Sequence, residues 1–194
     1  REKIQSAQLS TKDYYRQLLR IIYRLLFLMV TEERDLVYDP EDKTEATQRL
    51  KKIYLQYYSI ARLRKLSENR YVYESRFNDL WQGLVQTFQL FEAGGNGKKL
   101  GIQPLDGDLF SYNAIKDLQD CLISNKLLLE CIRNMNEFRD EKKNLVNINY
   151  RSLDVEELGS VYEGLLDLHP VIENIGAANP AHINFTFHEG TDRK

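Results

Sequence analysis

Apolar residues recur at three- and four-residue spacing through most of the 194-residue chain, and give way to strict alternation only near its end. Leu18, Ile22, Leu25, Leu26 and Met29 share one helical face, which Leu19, Ile21 and Leu28 widen. This predicts a helix from Ser10 to Glu33, buried on more than one side, with Ser10 and Asp13 as a capping pair. A second helix is expected from Thr44 to Ser67, with Leu50, Ile53, Tyr54, Tyr57, Ile60 and Ala61 inward. A third is expected from Ser75 to Ala93, on a stripe of Phe77, Leu80, Trp81, Leu84, Phe88 and Phe91, with Gly94 as its C-cap glycine.

The segment 94–108 breaks the pattern with five of the ten glycines and Pro104. It reads as either a mobile loop or an ordered, turn-rich connector. A short helix is expected near Asn113 to Asp120. Ser124 then caps a helix running to about Phe138, on a face of Leu128, Cys131, Ile132, Met135 and Phe138. Asp140 to Asn144 reads as a polar turn and Leu145 to Tyr150 as extended. Near the end, Ile183, Phe185 and Phe187 alternate with polar residues, which is a strand signal. A lone strand needs a partner, expected beyond Lys194.

Between these lies the most strongly marked stretch, Asn149 to Pro170. Asp154 is a good N-cap and Glu157 stands three residues later, where it can reach back to the cap amide. Val155, Leu158, Val161, Tyr162, Leu165 and Leu166 fall on one face, with Glu156, Glu163 and Asp167 mostly on the other. The expectation is a buried core helix ended by Pro170, with His169 in its last turn. Gly159 and Gly164 each cost such a helix about 1 kcal/mol relative to alanine. Close approach of another backbone would offset that cost.

The resulting fold class is mainly α: one multi-helix domain over residues 1–194, with a Gly-rich connector near 94–108 and a short β segment near 183–187. A subdivision into 1–93 and 109–170 would use that connector as its joint. The composition, 42% hydrophobic and 29% charged, fits a soluble globular chain. The net charge of −2 hides an asymmetry. Residues 1–99 carry 18 basic against 13 acidic side chains, and residues 100–194 carry 9 against 16. Cys121 and Cys131 read as buried free thiols of a reducing compartment, which points to the cytoplasm. The apolar run Leu18 to Val30 is interrupted by Arg20 and Arg24 and is too short for a bilayer, which needs about 20 apolar residues. The chain opens without methionine, which suggests an internal piece of a longer polypeptide, processing or a removed tag.

The candidate chemistry is mostly basic. Arg49, Lys51, Lys52, Arg62, Arg64, Lys65 and Arg70 lie in a segment with a single acid, Glu68, and with tyrosines interleaved. Such a segment is either a solvated helix face or a set of contacts to a DNA backbone. Arg16, Arg20 and Arg24 form a second stripe, for acidic partners within the chain or for phosphate. Asp39, Glu41, Asp42 and Lys43, and Glu141 with Lys143, have the side chains of a metal-dependent nuclease but no convincing strand, so they read as solvated turns. Gly94-Gly95-Asn96-Gly97 lacks the preceding strand and closing Gly-Lys-Ser/Thr of a phosphate loop. Asn179-Pro180-Ala181 is half of the motif that grips a flipped adenine, and lacks its aromatic. His169, His182 and His188 lack zinc-ligand spacing. No catalytic, cofactor-binding or metal-binding residue is expected in this chain.

Three blocks carry a resemblance. They are Tyr14-Tyr15-Arg16-Gln17-Leu18-Leu19-Arg20 with Tyr23-Arg24-Leu25-Leu26-Phe27, then Leu122-Ile123-Ser124-Asn125 with Leu127-Leu128, and then Asn149-Tyr150-Arg151 through Leu158-Gly159-Ser160-Val161-Tyr162-Glu163. Together they resemble the region preceding the methyltransferase domain of large bacterial type IIG restriction–modification polypeptides and of similar phage-defence adenine methyltransferases. That region typically ends in an Arg-Lys pair before a Gly-Ser-Tyr-Tyr-Thr-Pro type motif, and this chain ends in Asp192-Arg193-Lys194. The resemblance implies a parent enzyme that uses S-adenosylmethionine to methylate adenine N6 in double-stranded DNA. In members with a nuclease domain, it also implies DNA cleavage with Mg²⁺. This chain would be the non-catalytic connector between adjoining nuclease and methyltransferase domains, with no membrane contact. The alternative is a helical adaptor that binds another protein through its acidic second half and does not bind DNA.

Overall fold

A computed structural model describes residues 2–69, 76–105, 107–173 and 184–189. The chain is mainly helical with short strands in two small sheets. The elements in order are α1 (Glu2–Gln5), α2 (Thr11–Glu33), α3 (Glu45–Tyr57), α4 (Ile60–Glu68), α5 (Asp79–Leu90) and two short 3-10 turns, Asn96–Leu100 and Tyr112–Ile115. There follow α6 (Asn125–Asn136), β1 (Glu137–Arg139), β2 (Leu145–Asn147), α7 (Val155–Leu166), β3 (Leu168–Glu173) and β4 (Asn184–Glu189). They form two compact units, one of residues 1–22 and 153–194 and the other of residues 23–152. Segment 94–108 lies inside the second.

In the larger unit the core is built on the second half of α2, where Leu25, Leu28 and Met29 are buried. Trp81, Leu84 and Phe88 of α5 and Leu129 and Ile132 of α6 are buried in the same unit. Aromatic rings continue the core, edge to face from Tyr38 through Tyr54 to Phe91 and tilted from Phe91 to Phe110. The 94–108 segment is an ordered connector. Gly95 and Gly97 have no room for a side chain, because a Cβ there would overlap the carbonyls of Gln89 and Leu90. The Tyr38 hydroxyl donates to Leu100 O at 2.9 Å, and Leu105 N donates to Phe91 O at 2.9 Å.

The second expected helix is two helices. Ser59 is extended (φ −68, ψ 150), and its hydroxyl accepts from Arg62 N at 3.1 Å as the N-cap of α4. A serine inside an apparently unbroken apolar rhythm was the local signal for this break. The third helix is shorter than expected, beginning at Asp79; residues 70–75 are outside the described set. The short helix expected near 113–120 is a single 3-10 turn followed by turns. Ser124 caps α6 as expected, accepting from Leu127 N at 3.3 Å, but the helix stops at Asn136. Phe138 belongs instead to β1, which pairs antiparallel with the extended segment Leu145–Asn147.

In the smaller unit both expected caps form. Ser10 Oγ accepts from Asp13 N at 3.0 Å. At α7, Asp154 accepts from Glu157 N at 2.8 Å while Glu157 accepts from Asp154 N at 2.9 Å. The burial expected of α7 is not found, for none of its residues is buried. Nor does any backbone approach Gly159 or Gly164, where a Cβ would meet nothing within 4 Å. Pro170 does not close the helix. It lies within β3, as does His169, and β3 pairs antiparallel with β4. The partner expected beyond Lys194 is therefore Leu168–Glu173, a segment whose proline hides its strand character. Phe185 and Phe187 of β4 pack on Tyr14 and Tyr15, at centroid distances of 5.2 and 5.5 Å.

Both cysteines are exposed rather than buried. Among the described residues, no helix is long and apolar enough to cross a membrane.

Candidate nucleic-acid interface

Six of the seven basic candidates fall on α3 and α4, which are tied together by one carboxylate. Glu32, near the end of α2, accepts from the Tyr54 hydroxyl at 2.6 Å and from the amides of Ile60 and Ala61, both at 2.8 Å. It thus satisfies the first two amides of α4 and the hydroxyl of a buried tyrosine on α3. Burial pushes the Glu32 carboxyl up from its ordinary range, against the opposing pull of these donors and of the Arg64 charge. Tyr54 is pushed well above the usual tyrosine range, first by burial and then by Glu32.

With the two helices so held, the six described basic candidates separate into three groups. Arg64 is committed to the fold. Its guanidinium pairs with Glu33, donates to Asn136 Oδ1 at 2.6 Å and to Ile148 O at 3.4 Å, and lies 5.3 Å from the Tyr150 ring centroid. Its guanidinium is thus held by the fold and its side chain is only 17% exposed. Lys51 is partly spent on Asp35, at 2.6 Å. Arg70 lies outside the described residues.

Arg49, Lys52 and Lys65 are exposed, and Arg62 is half-buried. Lys51 and Lys52 border an open hollow of about 400 Å³ that includes Leu55 and Gln56. Arg62 and Lys65 border a larger one of about 820 Å³ that includes the same two residues. Leu55 and Gln56 thus join the hollows into one concave strip, edged by cations from both helices. Arg49 stands one turn before Lys52 on the same side of α3. Glu68 also lines the strip and dilutes its charge at the α4 end.

The other sequence candidates are scattered. Arg24 is 2% exposed and is structural. It donates to Leu109 O at 2.7 Å and to Ser111 O at 2.9 Å, and stacks over Phe88 and Phe110. Arg16 pairs with Asp13. Asp39 and Asp42 accept backbone amides of the turn before α3, and Asp42 also takes the Thr47 hydroxyl at 2.7 Å, which holds its carboxyl below the usual range. Glu141 and Lys143 lie in the turn between β1 and β2. His169 faces His188 across β3 and β4. Asn179, Pro180, Ala181, His182 and Ile183 fall outside the described residues. Among the described residues, no group of three or more His, Cys, Asp or Glu could hold a metal ion.

Sequence reasoning missed Glu32 and Glu33. Their partners are 22 to 118 residues away, and nothing local distinguishes them from other acids at a helix end. No family model, no curated protein and no solved structure matches the chain.

Proposed function

We propose that this chain is the helical connector region of a bacterial restriction–modification enzyme, whose parent polypeptide methylates adenine N6 in double-stranded DNA with S-adenosylmethionine. In this reading the chain itself is not catalytic. It orients the adjoining domains and touches the DNA backbone through Arg49, Lys52, Arg62 and Lys65, with Lys51 a weaker contributor. Two things support it: the sequence blocks described above, and the single concave strip in which Leu55 and Gln56 bring the cations of α3 and α4 together. Phosphate binding needs only positive charge along a groove, so this strip would position DNA without reading its sequence.

The test is binding of the full chain to duplex DNA across a salt series. The triple variant Lys52→Glu, Arg62→Glu, Lys65→Glu should lower affinity and flatten the salt dependence, by about 0.9 in the log–log slope for each phosphate no longer neutralised. Unchanged affinity and slope would remove DNA contact from the reading. The methyltransferase part is tested separately, by methyl transfer from labelled S-adenosylmethionine to DNA by the parent polypeptide.

A second reading, a helical protein-interaction adaptor that does not bind DNA, draws on a different observation. Val155, Val161 and Leu166 of α7 remain exposed, Val155 at 81%.

A further inference from the structure

Helix α7 carries an apolar strip that the described residues of its own unit leave exposed. Val155, Gly159, Tyr162 and Leu166 follow one another at spacings of four, three and four, so they line one side of the helix. Val155 is 81% exposed, Leu166 47% and Gly159 exposed. Glu156 and Glu163 each follow a strip residue by one position, which places them along one flank. The helix contains no lysine or arginine. Gly159 weakens it by about 1 kcal/mol, and a Cβ there would meet nothing within 4 Å. Among the described residues no packing accounts for that glycine, whereas a partner backbone lying close along the strip would. At the far end Leu166 also lines an open hollow of about 540 Å³ with Tyr15, Leu19 and Pro170. Lys12 and Arg16 border the same hollow, so favourable charge for a basic partner is confined to the Glu156–Glu163 side.

We infer that α7 is a docking face for an amphipathic helix of another polypeptide segment, carrying an apolar stripe flanked by lysine or arginine. The stripe lies along Val155, Gly159 and Leu166, and the basic flank meets Glu156 and Glu163. Apolar burial supplies the affinity, and the carboxylate flank selects the sign of the partner's charge. The inference rests on α7 alone, so it stands or falls independently of DNA contact by α3 and α4.

The probe is a labelled synthetic helix of leucine and lysine in amphipathic order, titrated with the full chain and followed by fluorescence anisotropy. A matched peptide with glutamate for lysine is the comparison. The lysine peptide should bind more tightly than the glutamate peptide. Val155→Asp combined with Leu166→Asp should weaken it roughly tenfold or more, as loss of central apolar anchors does. Gly159→Leu should weaken it by blocking close approach, whereas Gly164→Ala, on the opposite side of α7, should not. Lys52→Glu should leave it unchanged. These α7 positions are solvent-exposed, so circular dichroism should report an intact fold in each variant. Equal binding of both peptides would overturn the inference, as would Asp variants that bind like the parent. A concentration-dependent dimer in light scattering that Val155→Asp dissolves would also overturn it, by showing a second copy of this chain as the occupant.

Discussion

The Tyr54 hydroxyl donates to Glu32 Oε1 at 2.6 Å, and that same carboxylate receives the first two amides of α4. One side chain from α2 therefore sets where α3 ends and α4 begins. Glu32→Ala would strand two amides and a buried hydroxyl, and should cost about 3 kcal/mol in urea unfolding. Tyr54→Phe, which removes one donor and leaves the amides capped, should cost about 1 kcal/mol.

The same carboxylate gives a pH dependence whose sign follows from burial. The folded state raises the Glu32 carboxyl above its ordinary value of 4.5, so the folded chain holds this proton more tightly than the unfolded chain. Its contribution is complete below the ordinary value and is lost as pH rises through the raised one. Unfolding free energy measured from about pH 4 upward should show this loss, and Glu32→Gln should abolish it.

Tyr38 supplies an alkaline counterpart. Burial pushes its phenol up to about 12, and its hydroxyl donates to Leu100 O in the glycine-rich connector. Ultraviolet titration of tyrosinate should show a step near pH 12 that is missing in Tyr38→Phe. The stability contributed by this phenol is present below the ordinary value of 10.0 and declines as pH climbs towards 12.

Arg64 separates a structural cation from the exposed ones around it. Arg64→Ala should destabilise the chain by about 3 kcal/mol, because Glu33 and Asn136 lose a partly buried partner. Arg64→Lys should recover only part of this, since an ammonium cannot reproduce the planar fork. Single charge reversals at Arg49, Lys52 or Lys65 should shift the thermal midpoint little, and differential scanning fluorimetry distinguishes the two groups.

Two glycines should respond with opposite signs. Gly97→Ala places a Cβ into the Leu90 carbonyl and should destabilise by about 3 kcal/mol. Gly159→Ala enters open space on a helix and should stabilise by about 1 kcal/mol. Urea midpoints of the two variants, read against the parent chain, check both.

The starts of three helices were legible in a few consecutive residues. Ser10, Ser124 and Asp154 cap as their spacing required, because a cap bonds amides two or three residues away and depends on nothing distant. The mainly helical class and the strand signal of residues 185–187 were legible for the same reason, both being local periodicities. What those elements meet depends on distant parts of the chain. The apolar face of α7 obeyed the helical rhythm yet none of it is buried and Val155, Val161 and Leu166 are exposed, because periodicity identifies a face without saying what covers it. The break at Ser59 had only a weak local mark, and Glu32 completes it from 28 residues before Ile60. Arg62, Arg64 and Lys65 look alike in a row of basic residues. Only the approach of Glu33, Asn136 and Tyr150 withdraws Arg64 into the fold and leaves its neighbours on the strip.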